Sequence, residues 1–295
     1  MLVKKNLSFY QVLSYTWKID ISMIFFCSLV YVIDQYIFTE TVLPIAYPSL
    51  MGTAIAFFIG FNNNQAYGRW WEARIIWGGL VNDSRSWARS LIAYSSNQVL
   101  AERMIRRHLA FLYTLSTSLR RDEVDTSYAE YLTPFELSSL EPKYNRANQI
   151  LQHQATDLHE LHQSGAIGEF VFANLNTLLQ NFCDGMGKSE RINNTVYPIT
   201  YVYFTQLFIW LFIALITMST SQLIGGLSVV LGWLMGFVFN AIHINGMNLM
   251  NPFSDNPSGV PISSITRNIE INLLQMLKSP QIPEPVQVIN GEYIM

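Results

Sequence analysis

The densest group of possible metal ligands lies in one short stretch of the chain. It contains His153, Asp157, His159, Glu160 and His162. On a helix, His159 and His162 share one face, and His153 and Asp157 share another. The stretch lacks the His-Glu-x-x-His spacing that zinc hydrolases use. We therefore predict a solvated helix face and assign no residue of this group as a metal ligand.

Other patterns that carry catalytic chemistry are missing from the sequence. There is no glycine-rich phosphate loop and no nucleophile elbow, and the serine, histidine and aspartate residues follow no triad motif. Cys27 and Cys183 are too few and too far apart for a disulfide framework or a zinc site. The net charge of −3 implies no nucleic-acid partner. The sequence therefore predicts a protein that is not an enzyme and that holds no cofactor and no metal.

Two stripes of residues at four-residue spacing run along one apolar segment. The first consists of small residues, which let helices approach closely in a bilayer: Gly52, Ala56 and Gly60. The second consists of Thr53, Phe57 and Phe61. Phenylalanines on a membrane helix commonly face lipid or a neighbouring helix. A packed ring of these helices would instead form a hydrophobic collar lined by the second stripe.

Polar and aromatic residues follow the two stripes directly. The amides come first, and below a collar they would line a vestibule: Asn62, Asn63 and Asn64. The next group is Arg69, Trp70 and Trp71. The two tryptophans also suit ordinary anchors at a membrane interface. The pattern alone leaves a lipid-facing helix and a pore-lining helix as open alternatives.

The elements that would position these residues are membrane helices. Hydrophobic residues make up 50% of the 295 residues and charged residues 13%, against about 25% charged residues in soluble domains. Residues 41–68 and 192–254 contain no Asp, Glu, Lys or Arg. Such segments suit lipid, where a central charge costs about 2.5–3.5 kcal/mol. The sequence predicts an all-α membrane protein with four spans, near residues 19–38, 45–65, 199–218 and 223–243.

The basic residues are distributed unevenly about these spans. With four spans, all 18 Lys and Arg residues fall on one side, and the opposite loops, residues 39–43 and 219–222, contain none. The positive-inside rule then places both termini in the cytoplasm and the chain in the inner or plasma membrane. The predicted organisation is a cytosolic segment (1–18), two spans (19–65), a cytosolic helical domain (66–198), two spans (199–243), and a cytosolic helix with an extended tail (244–295).

Three motifs occur in order along the chain. The first is GFNNNQAYGRWWEAR at residues 60–74, and the second is ERINNTVYP at residues 190–198, which leads to Tyr201. The third is Asn251-Pro252-Phe253, followed by a helix with Arg267, Ile269 and Glu270. Together these motifs cover most of the chain, and they resemble the bestrophin family, in particular its bacterial members.

This resemblance implies a homopentameric ion channel with four membrane helices per subunit and a large cytosolic helical domain. Its partners would be copies of itself, membrane lipids and small monovalent ions. Matched position by position, the pore neck falls at Thr53, Phe57 and Phe61. A cytosolic aperture falls at Tyr197, directly before the proline of the second motif. The signature residues expected to have structural roles are Arg69, Trp70, Trp71 and Pro198.

The sequence departs from the family pattern at three places. Thr53 is polar where the family usually has an aliphatic residue, so the outer ring of the neck is expected to be wetter. Asn62 stands where bacterial relatives often have Arg, which weakens any inference of anion preference. After Phe253 only Asp255 offers a nearby carboxylate. A calcium ion takes about 6–8 oxygen ligands, so the calcium site of animal members is not expected here.

The function expected from the resemblance is passive permeation of small monovalent ions, with chloride as the family default. A monovalent-cation channel of the same fold, selective for sodium, remains an alternative. From other classes, a secondary transporter or a non-conducting membrane scaffold also remains. A transporter normally needs ionisable groups at mid-membrane, and Asp, Glu, Lys and Arg are absent from the second, third and fourth predicted spans.

Overall fold

The protein is described by a computed structural model that covers residues 9–38, 42–121, 126–140, 143–288 and 293. Part of the predicted loop at residues 39–43 and the outer ends of both predicted terminal segments lie outside these ranges. The regular elements of the described residues are helices. They are α1 (Phe9–Ile37), α2 (Ala46–Tyr94), α3 (Gln98–Arg120), a short 3₁₀ helix (Ser127–Tyr131), α4 (Pro134–Leu140), α5 (Arg146–Gln163), α6 (Glu169–Asn194), α7 (Ile199–Ile224), α8 (Leu227–Met250) and α9 (Ile262–Met276).

The helices form two compact units, which we call the membrane unit and the polar unit. The membrane unit comprises the described residues of 4–69 and 196–251, and the polar unit comprises the described residues of 70–195 and 252–295. Helix α2 contributes to both, because it continues for 49 residues instead of ending near the predicted position 65. Its interior has glycines, of which only Gly78 and Gly79 are adjacent, but no proline after Pro48. Single glycines are tolerated within a helix, and the helix continues through the pair as well.

Three helical segments of the described residues are long and apolar enough to cross a membrane. They are Thr16–Ile37, Thr200–Ile224 and Leu227–Met250. The predicted second span is not among them. Its helical part before the amides covers residues 46–61, which rise roughly 24 Å at about 1.5 Å per residue. A hydrocarbon core is about 30 Å thick, so the fourth span stays a prediction.

The predicted loop at residues 219–222 is wrong, because those residues belong to helix α7. The hydroxyl of Thr220 donates to the carbonyl of Ile216 at 2.7 Å, and that of Ser221 donates to the carboxylate of Asp34 on α1. These bonds give both hydroxyls partners inside the membrane unit, so a polar run does not end the helix. The chain turns instead at Gly225, whose φ of +55° favours glycine.

The membrane unit has its core among α1, α2 and α7, and α8 packs closely against α1 and α7. Met23, Ile59 and Ile213 are buried there. At Gly236 of α8, a Cβ would lie 2.9 Å from Cγ2 of Ile213 and 3.0 Å from Sδ of Met23. Small residues at such contacts let membrane helices approach closely. A larger residue at position 236 would force the helices apart.

The polar unit is built around α3, most of whose residues are buried. Asn97 starts the helix by accepting a hydrogen bond from the backbone N–H of Leu100 at 3.1 Å. The largest buried rings include Trp87 and Phe182, which meet edge to face with centroids 5.7 Å apart. This unit has the apolar core expected of a water-exposed domain.

Candidate ion pathway on helix α2

The upper part of α2 has one buried face and one exposed face. Ile55 and Ile59 are each 2% exposed and lie in the core of the membrane unit. Phe57 and Phe61 are 66% and 69% exposed. Residues four apart share a helix face, so the predicted aromatic stripe lies together on the outside of the protomer.

Thr53 completes this exposed stripe and already has a hydrogen-bond partner. Its hydroxyl donates to the carbonyl of Ser49 at 2.9 Å. The hydroxyl proton is therefore directed along the helix, and the oxygen can still accept from water. The stripe is polar at Thr53 and aromatic at Phe57 and Phe61.

The stripe of small residues beside it is only partly used within one protomer. At Gly52, a Cβ would lie 3.0 Å from the ring of Phe212 on α7, so glycine allows that contact. At Gly60, no heavy atom of the described residues lies within 4 Å of where a Cβ would stand. Ala56 is exposed. Two of the three small residues thus leave an open surface next to the aromatic stripe.

The three asparagines predicted to line a vestibule point in different directions. Asn62 is 6% exposed; it accepts a hydrogen bond from the Tyr197 hydroxyl at 3.1 Å and donates to the Thr205 hydroxyl at 3.3 Å. Asn63 donates to the carbonyl of Ile242 at 3.1 Å. Only Asn64 is exposed beside the aromatic stripe. Asn62 therefore lies inside the protomer.

Tyr197, the predicted aperture residue, is half-buried just before α7. Burial raises the pKa of its phenol above the usual range, the neighbouring Tyr201 adds to the rise, and Arg69 opposes it. The phenol is therefore neutral at physiological pH and can donate to Asn62. Pro198 caps the start of α7 with φ of −59°, a conformation that its ring already enforces.

The Arg-Trp-Trp signature lies farther along the same helix. Trp70 and Trp71 stack with ring centroids 6.3 Å apart. Trp70 packs against the core of the polar unit, whereas Trp71 is 49% exposed. The neighbouring Glu72 pairs with Arg191 of the second motif at 2.6 Å. Two of the family motifs therefore meet through this ion pair.

The predicted solvated face at residues 153–162 is wrong for Asp157. This carboxylate is buried and lies 2.9 Å from the Arg103 guanidinium and 2.8 Å from that of Arg107. His153 is half-buried, and its Nε2 lies 3.0 Å from the Ser139 hydroxyl. The cause is the close approach of α3 and α4, which the local pattern cannot show. His159 and Glu160 do lie on an exposed face.

His162 also has partners within the polar unit. Its ring stacks on Phe172 with centroids 4.6 Å apart, and its Nε2 lies 3.2 Å from the Glu169 carboxylate. Among the described residues, no group of three His, Cys, Asp or Glu side chains could hold a metal ion.

The third motif is structural in the protomer. Phe253 is fully buried in the polar unit, and Asp255 is exposed. Glu270, on α9, accepts hydrogen bonds from the hydroxyls of Tyr113 and Tyr131. It also pairs with Arg267 at 2.9 Å. Its oxygens are therefore committed to these neighbours.

Two buried carboxylates of α1, Asp20 and Asp34, have hydrogen-bond partners that the sequence did not reveal. Asp20 accepts a hydrogen bond from the Thr16 hydroxyl at 2.6 Å and another from the Trp233 indole at 3.4 Å. Asp34 accepts from the Ser221 hydroxyl. The Thr16 partner lies four residues before Asp20, a spacing visible in the sequence. The partners on α7 and α8 are visible only in the fold.

The profile of the bacterial and fungal bestrophin proteins matches residues 11–275 of this chain. The chain belongs to the bestrophin family. The match confirms the family assignment that the three sequence motifs suggested. It spans both the membrane unit and the polar unit of this bestrophin.

Two bacterial relatives share much of this bestrophin's length. It is 30% identical over 235 residues to the voltage-dependent anion channel-forming protein YneE of Salmonella typhi, covering 80% of this chain and 77% of that protein. It is 26% identical over 269 residues to the protein of the same name from Escherichia coli K12, covering 91% and 88%. Both alignments extend over most of either chain.

The fold also matches a solved structure. A bacterial bestrophin homolog from Klebsiella pneumoniae superposes with a TM-score of 0.83 at 21% identity, covering 89% of this chain and 98% of that one. The agreement shows a bestrophin fold over nearly the whole chain. With its three apolar helical segments, this bestrophin is a membrane protein.

Proposed function

We propose that this bestrophin is a homopentameric anion channel whose pore neck is formed by Thr53, Phe57 and Phe61. The exposure of Phe57 and Phe61, at 66% and 69%, carries the proposal. In a membrane such a surface faces lipid, a neighbouring helix or a pore, and the open small residues Ala56 and Gly60 beside it suit close packing against a second copy. Five copies around an axis would cover the flanks of α2 and leave the two rings facing a pore. The Salmonella and Escherichia relatives are named anion channel-forming proteins, which supports an anion channel here as well.

The proposed pore acts by wetting and drying and uses no catalytic group. A collar of phenylalanine rings has no atoms that could replace an ion's hydration shell. Stripping that shell entirely would cost on the order of 20 kcal/mol in a medium of low dielectric constant. Conduction therefore requires a state in which the collar widens and keeps water around the ion. Tyr197 forms the second, cytosolic constriction of the same path.

We infer that the chain crosses the inner or plasma membrane four times and that both termini lie in the cytoplasm. The second span is the apolar start of α2, beginning at Ala46. It is shorter than a lipid-facing span needs, but a pore-lining helix is surrounded by protein. Residues 66–198 and the chain after residue 243 form the cytosolic part. Membrane lipids and small monovalent ions are the other partners.

The sign of the permeant ion rests on a weaker argument than the neck. The collar has no charge. Asn62, which stands where bacterial relatives often have Arg, is neutral and buried, so it provides no ring of positive charge near the neck. Aromatic edges are electropositive and aromatic faces electronegative. Phe57 and Phe61 packed edge-on to the axis therefore give a mild preference for anions. Faces turned to the axis would favour the second candidate, a sodium-selective channel.

Two further alternatives come from other classes of protein. A secondary transporter needs ionisable groups that exchange partners during transport, but Asp20 and Asp34 are held by neighbouring donors within the membrane unit. A non-conducting scaffold would leave the exposed rings of Phe57 and Phe61 as packing surfaces only. We therefore favour a channel over both.

Reconstitution of the purified protein in planar bilayers under a sodium chloride gradient tests the proposal. Stepwise single-channel currents are expected, with a reversal potential close to that of chloride. A reversal potential on the cation side would establish the sodium-channel alternative. Absence of current from protein that forms pentamers in detergent would favour the scaffold.

A further inference from the structure

A small cavity lies within the membrane unit, apart from the proposed pore. Its volume is about 190 Å³. The lining residues come from α1, α7 and α8 and are Ile19, Met23, Gln206, Ile209, Trp210 and Asn240. Ligand sites for whole drug-sized molecules span roughly 300–1,000 Å³. This cavity therefore suits one segment of a larger molecule or one small amphiphile.

One buried amide lines the cavity, and its nitrogen has no hydrogen-bond partner among the residues that the structure describes. Asn240 is 3% exposed, and its Nδ2 makes no hydrogen bond with any of the described residues. A buried donor without a partner is destabilising, and native proteins rarely leave one. In a bilayer the missing acceptor cannot come from bulk water. The amide therefore points to an occupant that brings an acceptor oxygen.

The rest of the lining argues that this occupant is largely apolar. Ile19, Met23, Ile209 and Trp210 supply hydrocarbon or aromatic surface. An ordered water needs two to four polar partners. Apart from Asn240, the lining has two polar groups, the Gln206 amide, which is exposed at one side, and the indole N–H of Trp210. These groups are too few for a cluster of several waters, whereas an alkyl chain ending in one acceptor matches the mostly apolar walls.

Residues just before Ile19 place a cation beside this part of α1. Trp17 is 51% exposed, and the Lys18 ammonium lies 5.7 Å from its ring centroid. Exposed tryptophan followed by lysine is typical of the level of lipid headgroups. Lysine at that level attracts anionic lipid phosphates. The ester carbonyls of a phospholipid lie just below its phosphate, at the depth where the acyl chain begins.

We propose that the cavity among α1, α7 and α8 binds one acyl chain of an anionic phospholipid. The ester carbonyl accepts a hydrogen bond from Nδ2 of Asn240. The first methylene groups lie against Ile19, Met23 and Ile209, and the phosphate lies near Lys18. The site uses no residue of the proposed neck or aperture, so it requires membrane insertion but no ion conduction.

Photolabelling with a modified phospholipid tests where the acyl chain lies. The full-length protein is reconstituted in vesicles of phosphatidylcholine with a trace of phosphatidylglycerol whose acyl chain carries a diazirine near the ester. After irradiation, adducts are expected on the peptides that contain Ile19, Met23 and Ile209. Ile19→Trp, which places a bulky indole ring in the cavity, should remove these adducts. Adducts confined to exposed residues such as Val230, or unchanged in Ile19→Trp, would overturn the proposal.

Native mass spectrometry of the detergent-solubilised protein tests the chemistry of the site. Adding phosphatidylglycerol should fill one site per subunit in the wild type. Asn240→Leu should weaken this binding about two- to tenfold, which is the net effect of losing one hydrogen bond. Lys18→Gln should weaken phosphatidylglycerol binding and leave phosphatidylcholine binding unchanged. The matched control is Val230→Leu on the exposed side of α8, which should bind like the wild type.

A stability measurement separates the site from a merely structural role of Asn240. Leucine has the branched shape of asparagine but is larger, and the adjoining cavity leaves room for its extra volume. Because the substitution also removes the unpaired amide, lipid-free Asn240→Leu should fold and have a higher melting temperature. Phosphatidylglycerol should raise the melting temperature of the wild type more than that of Asn240→Leu. Equal shifts in the two proteins, together with equal lipid counts, would show that the amide contacts no lipid.

Discussion

The hydroxyl of Tyr197 donates to Oδ1 of Asn62 over 3.1 Å and joins the start of α7 to helix α2. Asn62 is the residue directly after Phe61, the last position of the proposed neck. Tyr197 is the proposed aperture. This hydrogen bond therefore connects the two proposed constrictions within one protomer, and we propose Asn62 as a positioning residue for Tyr197.

This connection predicts that neck and aperture respond to each other. Tyr197→Phe and Asn62→Leu should each change open probability, and the double variant should differ from the sum of the single effects. A coupling of about 0.5–1.5 kcal/mol is expected for one hydrogen bond. Single-channel recording of the four proteins measures it. Tyr203→Phe, at an exposed tyrosine of α7, is the control. Additive effects would mean that the two constrictions act separately.

Phe57 is predicted to control the gate. It lies midway between the polar Thr53 and the amides after Phe61, so this part of the collar should dry first. Phe57→Ala would remove five rings from the pentamer axis and ease wetting. Conductance or open probability should rise markedly while the pentamer persists. Single-channel recording on protein whose assembly is verified by size-exclusion chromatography measures this.

Phe58 provides the matched control for the same substitution. It is half-buried, and its ring lies 5.5 Å from that of Tyr201 and 6.4 Å from that of Phe208. Phe58→Ala should lower stability by less than the ~3–5 kcal/mol that a fully buried phenylalanine costs, and leave the open probability near the wild-type value. If Phe57→Ala behaves like Phe58→Ala, Phe57 faces lipid and the neck assignment is incorrect.

Spacing alone predicted that Thr53, Phe57 and Phe61 share one face of α2, but the inward direction of Asn62 was not predicted. Three consecutive asparagines look alike as a chamber lining. Yet Ile55, Ile59 and Asn62 are spaced by four and three residues, which puts them on one helix face. That signal could have shown that Asn62 turns inward. Its partners Tyr197 and Thr205 lie more than a hundred residues away, so the fold alone identifies them.

The ends of the helices and the buried charged residues could not be predicted from the local sequence pattern. A Ser-Thr-Ser run at residues 219–221 suggests a loop, but in the apolar helix the Thr220 hydroxyl donates to a carbonyl one turn back and the Ser221 hydroxyl donates to Asp34. Asp157 looks solvated among polar neighbours, but Arg103 and Arg107 reach it from another helix. The three apolar spans and the helical fold class needed only composition and periodicity.

The proposed topology predicts which cysteines an impermeant thiol reagent can reach. Ser221 is unsuitable because it is 1% exposed, whereas Leu223 at the end of α7 is 77% exposed. In a background lacking the exposed Cys183, Leu223→Cys should react in intact cells, and Val288→Cys should react only after permeabilisation. Immediate reaction of Val288→Cys from outside would contradict the four-span topology.

Channel activity is predicted to be independent of calcium. After Phe253, Asp255 is the exposed carboxylate, and Glu270 is already bound to two tyrosines and Arg267. A site that must supply about 6–8 oxygens cannot be assembled from these groups. Currents in planar bilayers should match with micromolar calcium and with a chelator. Steep activation by calcium would reveal ligands elsewhere.

Acid is predicted to destabilise the polar unit through His108. This imidazole is fully buried, lies 2.8 Å from the Ser84 hydroxyl and stacks on Phe182 with centroids 4.2 Å apart. Burial lowers its pKa from 6.5 to about 3. The unfolded chain therefore binds the proton more readily than the folded one between these values. The stabilisation is complete above pH 6.5 and is lost as the pH falls toward 3.

Thermal unfolding in detergent between pH 8 and pH 4.5 measures the effect. Each pH unit below 6.5 should remove up to about 1.4 kcal/mol through this one group. His108→Gln keeps a polar partner for Ser84 without a titrating ring, so it should be less stable at pH 8 but lose less on acidification. His159→Gln, at an exposed histidine of α5, should follow the wild type. Parallel pH profiles for His108→Gln and the wild type would assign the acid sensitivity to other groups.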